Sequence, residues 1–216
     1  MKNTMPSAIT YLFDPLCGWC YGASPVLQQL AQHSHIRLEL APTGLFSGAG
    51  GRVMDAGFAA YAWSNDQRIQ TLTGQRFTEV YHTQVLGKTG SRFDSDAVTL
   101  ALTAVSLTEP QLELACLTLL QEARYLRGQD TSVLSTVVDV LREHGLTAAA
   151  QLLLQDDETS LNTRKQTRVQ QAQRLMHSLG AQGVPALVIR QGGAQRLLRS
   201  DLLFGHIDNL LAAISA

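Results

Sequence analysis

The apolar positions change period along this chain, and the changes mark its elements. Residues Ala8 to Phe13, "AITYLF", are apolar, β-branched and aromatic, and Asp14-Pro15 stops them, which predicts a short buried strand. From Cys17 to Gln32 the spacing turns helical, with Val26, Leu27, Leu30 and Ala31 on one stripe. Pro25 has no amide hydrogen, so it is expected to kink the helix or to follow a first turn. Residues Ile36 to Pro42, "IRLELAP", place Ile36, Leu38 and Leu40 at alternate positions, a second strand ended by its proline. A β-α-β opening of this kind puts its two strands parallel in one sheet.

The middle of the chain has a different rhythm. "TGLFSGAGGR", Thr43 to Arg52, holds four glycines in ten residues and reads as a loop. From Val53 to Leu175 no strand pattern stands out. Asp96 to Leu107, Pro110 to Leu126 and Ser132 to Gly145 carry helical spacing, with Pro110 suited to a first turn and Gly145 to an end. A further helix is expected from Ser160 to Leu179, closed by Gly180. The stretch therefore reads as an all-helical insertion. β character returns at "GVPALVIRQGGAQRLLRS": a strand at Ala186 to Arg190, a Gly-Gly turn, and a strand at Gln195 to Leu198. "SDLLFGHIDNLLAAIS" predicts a closing helix capped by Ser200 or Asp201.

Composition narrows the class. With 45% hydrophobic and 16% charged residues in 216, the chain can build a proper core. A net charge of −1 without a basic tail argues against a nucleic-acid partner. Three cysteines are too few for a disulfide-stapled secreted scaffold. No apolar stretch before Cys17 suits a signal peptide or a membrane span, so a cytoplasmic protein is expected; a processed chain would suit the periplasm.

The chemistry then concentrates in "DPLCGWCYGASP". Cys17 and Cys20 at i and i+3 share one face of a helix and can bridge with little backbone movement. At a helix start the free amide groups and the macrodipole favour the Cys17 thiolate, the nucleophile in disulfide exchange. Cys20, one turn inside, suits the resolving thiol. A zinc reading is weaker. Zinc needs four ligands, Cys116 is isolated, and His33 and His35 lie about four turns from Cys17 along the rod. The loop at 43–52 fits no phosphate-binding glycine motif and suits the rim of a substrate groove. Cys116 reads as a small core residue. Trp19 is read two ways, as an apolar partner-contact surface or as a ring packed on neighbouring loops. His82, His144, His177 and His206 are scattered and read as surface or packing residues.

Three features resemble the thioredoxin superfamily, and within it the DsbA-like branch: strand, Cys17-Gly18-Trp19-Cys20, helix; Gly183-Val184-Pro185 before a late strand; and a helical block between the two halves. "FDPLCGWCYG" is similar to bacterial predicted protein-disulfide isomerases of the DsbA family. The resemblance implies an α/β thioredoxin fold at 1–52 and 176–216 with an all-helical domain inserted at 53–175. It implies a cis Pro185, with the Val184 backbone facing a substrate peptide and touching the cysteine pair. It implies a thiol-disulfide oxidoreductase or isomerase that needs no metal or organic cofactor, acting on protein or peptide thiols and disulfides, with glutathione a candidate substrate. The Gly-Trp pair between the cysteines differs from DsbA's Pro-His, so a less oxidising couple is expected. The strand before the site lacks the buried acid of several relatives; Asp14 is the nearest. Two other classes stay open. The 2-hydroxychromene-2-carboxylate isomerases and kappa-class glutathione transferases share this layout, but they bind glutathione and use a serine where Cys17 stands. A non-catalytic interaction or chaperone module is the third.

Overall fold

A computed structural model describes residues 7–155, 158–191 and 193–215. The chain opens with β1 (Ser7–Phe13), α1 (Gly18–Gly22), α2 (Ser24–Ala31) and β2 (Ile36–Pro42). There follow β3 (Arg52–Val53), α3 (Ala56–Thr73), α4 (Glu79–Tyr81) running into a π turn at His82–Leu86, and β4 (Arg92–Phe93). Five longer helices come next: α5 (Asp96–Thr108), α6 (Glu113–Tyr125), α7 (Leu134–Glu143), α8 (Thr147–Leu154) and α9 (Glu158–Ser178). β5 (Ala186–Gln191), β6 (Ala194–Leu197), a 3₁₀ turn at Ser200–Phe204 and α10 (Ile207–Ser215) complete the described chain.

The main sheet has the order β2-β1-β5-β6. β1 and β2 are parallel from Ser7 opposite Ile36 to Phe13 opposite Pro42, as the crossover rule requires. β5 lies antiparallel to β1, and β6 antiparallel to β5. Alternation assigns the faces. Ile9, Tyr11, Phe13, Leu187 and Ile189 join the large core shared with α1, α2 and the helical block. Leu12, Ala186 and Val188 point the other way, onto Ala172, Leu175 and Met176 of α9. Both faces of the central strands are covered, which is why β1 and β5 read as nearly continuous apolar runs. Each fully buried Leu or Phe in these layers contributes about 1.5–3 kcal/mol.

Several boundaries differ from the sequence reading. The expected helix from Cys17 to Gln32 breaks at Ala23, and Pro25 occupies the first turn of α2. Pro25 cannot donate to the carbonyl of Tyr21 four residues back; the Gln75 side-chain amide does so instead, at 3.2 Å. The middle segment is not purely helical: β3 and β4 form a two-residue antiparallel ladder, too short to show a period. Residues Pro110–Leu112 form a 3₁₀ turn before α6. Ser200 and Asp201 cap no helix, because they lie in their own 3₁₀ turn and α10 begins at Ile207 after Gly205. Of the expected Gly-Gly turn, Gly192 lies outside the described residues, and Gly193 takes φ 85°.

α1 is welded to the helical block by rings. Tyr21 stacks on Tyr125 at 4.7 Å between centroids and meets Phe77 edge-on at 5.3 Å. Such pairs add about 0.5–1.5 kcal/mol each beyond area burial. α9 is latched to the block by charge: Lys165 donates to both Asp96 oxygens at 2.6 and 2.7 Å, and Arg168 pairs with Glu113.

Candidate active site

The loop before α1 is built around a buried acid. Asp14 is fully buried, and its oxygens accept from the amides of Leu16 and Phe46, both at 3.0 Å, and from the Ser95 hydroxyl at 2.9 Å. Burial raises its pKa, and those three hydrogen bonds hold the rise back. The Tyr125 hydroxyl donates to the Leu16 carbonyl at 2.8 Å. Residues 14–16 are thus tied to the glycine-rich loop, to α5 and to α6 at once. Asp14 acts as a clamp, its two oxygens holding three donors from three segments.

Cys17 is the N-cap residue of α1, in extended conformation, and its amide donates to the Asp14 carbonyl at 3.1 Å. Its Sγ lies 3.8 Å from the carbonyl oxygen of Val184, which precedes β5, and the Val184–Pro185 peptide is cis. Primary structure separates these residues by 167 positions; the β1–β5 pairing brings them together. Both cysteines of the pair are free thiols. Cys17 is 8% exposed and Cys20 1%, so solvent reaches the pair through Cys17. Burial pushes the Cys20 thiol well up, and the neighbouring Cys17 sulfur adds to the rise. Because α1 is five residues long before the break at Ala23, the dipole behind Cys17 is shorter than an unbroken helix to Gln32 would supply.

Two clefts meet at Trp19. A shallow one of about 580 Å³ runs beside Val184 and Pro185 to Leu198 and Phe204. A narrower one of about 130 Å³ contains Cys17 and is walled by Phe46, Phe58, Tyr61, Asp66 and Tyr81. Trp19 lines both and packs edge-on against Phe204 at 5.3 Å. Both readings of this residue therefore describe it: half-buried against a neighbouring ring, yet open to the grooves. Phe46 puts the glycine-rich loop on the rim of the second cleft. Cys116 lies in the core at 0% exposure, with burial pushing its thiol well up. Among the described residues, no three His, Cys, Asp or Glu side chains gather as metal ligands.

One group escaped the sequence reading. Asp66, on α3, reaches across to α1: a Cβ placed on Gly18 would fall 2.5 Å from its Oδ1 and 3.1 Å from Ile69 Cδ1. α3 shows little apolar contrast along "AGFAAYAWSNDQRIQTLT", so neither the helix nor its acid stands out from pattern. Asp66 is 5% exposed, and its Oδ2 accepts from the Tyr81 hydroxyl at 3.1 Å.

A thiol pair at the start of a helix, abutting the β-strand that follows a cis proline in a thioredoxin-type sheet, defines a thiol-disulfide oxidoreductase. The sequence matches the DSBA-like thioredoxin domain over residues 8–208, and the chain belongs to that family. Among solved structures it is similar to the cytosolic disulfide reductase DsbM from Pseudomonas aeruginosa, at 29% identity and a TM-score of 0.85, covering 96% of this chain and 97% of that one. The same protein determined with GSH aligns at 28% identity and a TM-score of 0.84, over 96% and 97%. A protein disulfide isomerase-like structure from Nitrosomonas europaea, at 22% identity, a TM-score of 0.75 and 96% of each chain, shares the fold. No curated protein sequence matches this chain. Among the described residues, no helix is long and apolar enough to cross a membrane.

Proposed function

We propose that this chain reduces disulfides of peptides or small thiols, with Cys17 as nucleophile and Cys20 as resolving thiol. The observation that carries the reading is the asymmetry of the pair: Cys17 caps α1 beside the Val184 carbonyl and reaches the clefts, whereas Cys20 lies buried one turn behind it. The Cys17 thiolate attacks a substrate sulfur, forming a mixed disulfide and expelling one thiolate. The Cys20 thiolate then attacks Cys17 Sγ, closing the Cys17–Cys20 disulfide and releasing the second substrate thiol. Two electrons pass from the protein dithiol to the substrate, so the cycle uses no metal or organic cofactor. The wide cleft along Val184, Pro185 and Trp19 suits an extended peptide laid against the start of β5.

Likeness to a cytosolic disulfide reductase, one of whose structures includes GSH, supports the reducing direction, a reducing compartment, and glutathione as a small-thiol partner. Retention of Cys20 favours dithiol exchange over glutathione-dependent isomerisation or conjugation. The test is insulin reduction driven by glutathione, together with the equilibrium potential in glutathione buffers. Wild type is expected to be active, Cys17→Ser inactive, and Cys20→Ser to accumulate a mixed disulfide on Cys17. A potential as high as the about −120 mV of DsbA would reverse the assigned direction. Activity surviving Cys20→Ser unchanged would point to the isomerase or transferase class instead.

A further inference from the structure

The narrow cleft beside Cys17 holds an acid that the exchange reaction described above leaves without a role. Asp66 and Cys17 line the same space of about 130 Å³. A space of that size has room for a few solvent molecules in reach of both residues. One carboxyl oxygen is held by the Tyr81 hydroxyl, while the other abuts Gly18, the residue after the nucleophile. Facing this carboxyl are Tyr81 beyond α4's first residues, Arg124 and Tyr125 of α6, and Cys17 at the head of α1. Arg124 is itself drawn toward Asp130, at 3.7 Å, and lies over the Tyr81 and Phe93 rings at 5.7 and 5.1 Å.

We propose that Asp66 is the proton donor to the thiolate expelled when Cys17 attacks a disulfide, delivering the proton through water in this cleft. The proposal rests on the dithiol reading of Cys17. Cys17 gives its proton to solvent and attacks as the thiolate, while Asp66 starts as the carboxylic acid. As the bond from Cys17 Sγ to one substrate sulfur forms, the substrate S–S bond breaks and its electron pair goes to the leaving sulfur. Asp66 gives its proton to that sulfur and is left as the carboxylate, which takes a proton back from solvent, so atoms and charge balance. Burial pushes the Asp66 carboxyl up to about 7, with Tyr81 and Arg124 pulling the other way. A donor is most effective when its pKa lies near the working pH.

Leaving-group chemistry tests this. Glutathione disulfide expels a basic thiolate that needs a proton; 5,5′-dithiobis(2-nitrobenzoate) expels one that does not. Single-turnover reduction of both is followed from pH 5 to 9 for wild type, Asp66→Asn and Tyr81→Phe. Asp66→Asn is expected to slow reduction of glutathione disulfide about tenfold or more while changing the nitrobenzoate reagent less than about twofold. For glutathione disulfide the wild-type rate should fall off above pH ~7 as the donor ionises, and Asp66→Asn should lose that descending limb. Tyr81→Phe removes a hydrogen bond to the carboxylate and should move the limb to higher pH. This arm decides the matter even where Asp66→Asn folds poorly. Equal slowing of both disulfides, or an unmoved limb in Tyr81→Phe, overturns the proposal while leaving the dithiol reading intact. A wild type inert toward both reagents overturns the dithiol reading and this one with it.

Discussion

A buried carboxyl with a raised pKa makes stability depend on pH with a definite sign. Asp66 is moved to about 7 chiefly by burial, whereas an unfolded aspartate titrates near about 3.9. Between those values the folded chain holds a proton that the unfolded chain has lost. Its stabilising contribution is therefore complete below about pH 4 and is lost as pH rises through about 7, a difference on the order of 4 kcal/mol. Asparagine keeps the shape and a hydrogen bond to Tyr81 but cannot ionise. Urea denaturation should find Asp66→Asn equal to wild type within about 1 kcal/mol at pH 4 and more stable by about 2–4 kcal/mol at pH 8. A variant less stable than wild type at pH 8 would show that Arg124 more than offsets the burial of the charge. Stability given up at a residue that shares a cleft with Cys17 is what a group kept for proton transfer would show.

At the scale of elements, the contact between α1 and α3 explains the glycine of the CxxC pair. Gly18 has no positive φ to satisfy; its small size admits Asp66 and Ile69 against the backbone. Alanine would gain up to about 1 kcal/mol of helix propensity and lose about 1–3 kcal/mol to overpacking. Gly18→Ala should therefore destabilise the protein by about 1–2 kcal/mol, measured by denaturant midpoint. In an Asp66→Ala background most of that cost should vanish, because the tightest contact is gone and Ile69 Cδ1 at 3.1 Å can yield. Additive costs would mean that α1 and α3 do not press on one another there.

Across the whole molecule, α9 joins the sheet to the helical block. Its apolar face covers Leu12, Ala186 and Val188, and its Arg168 reaches Glu113 on α6 and the Leu40 carbonyl of β2 at 3.2 Å. Removing that guanidinium leaves Glu113 buried without its cation. Arg168→Ala should cost about 2–3 kcal/mol in chemical denaturation, tempered by the partial exposure of the pair. The rate at which Cys17 reduces 5,5′-dithiobis(2-nitrobenzoate) should stay within about twofold of wild type, since Arg168 lines neither cleft at the thiol. A matching loss of rate would show that the latch also positions the thiol loop.

Local features can be read from the order of residues alone. The apolar runs at 8–13 and 186–190 specify the two central strands, because a strand covered on both faces must be apolar at nearly every position, and the alternation at 36–42 specifies the edge strand β2. The CxxC spacing and its place between a strand and a helix specify the thiol pair, and Gly145 and Gly180 mark helix ends at φ 77° and 65°. Tertiary structure decided what depends on distant partners. The two-residue ladder of β3 and β4 carries no period to detect, and α3 lacks the apolar contrast that marks α2 and α7. The carbonyl freed by Pro25 finds Gln75, and Asp14 finds Ser95, 81 positions away. Asp66 meets Gly18 only because α3 folds back over α1. A side chain's burial, and with it the pKa of its carboxyl, is a property of the packed neighbours rather than of the residue. The pair of thiols was therefore legible from spacing, and the acid that shares a cleft with Cys17 was not.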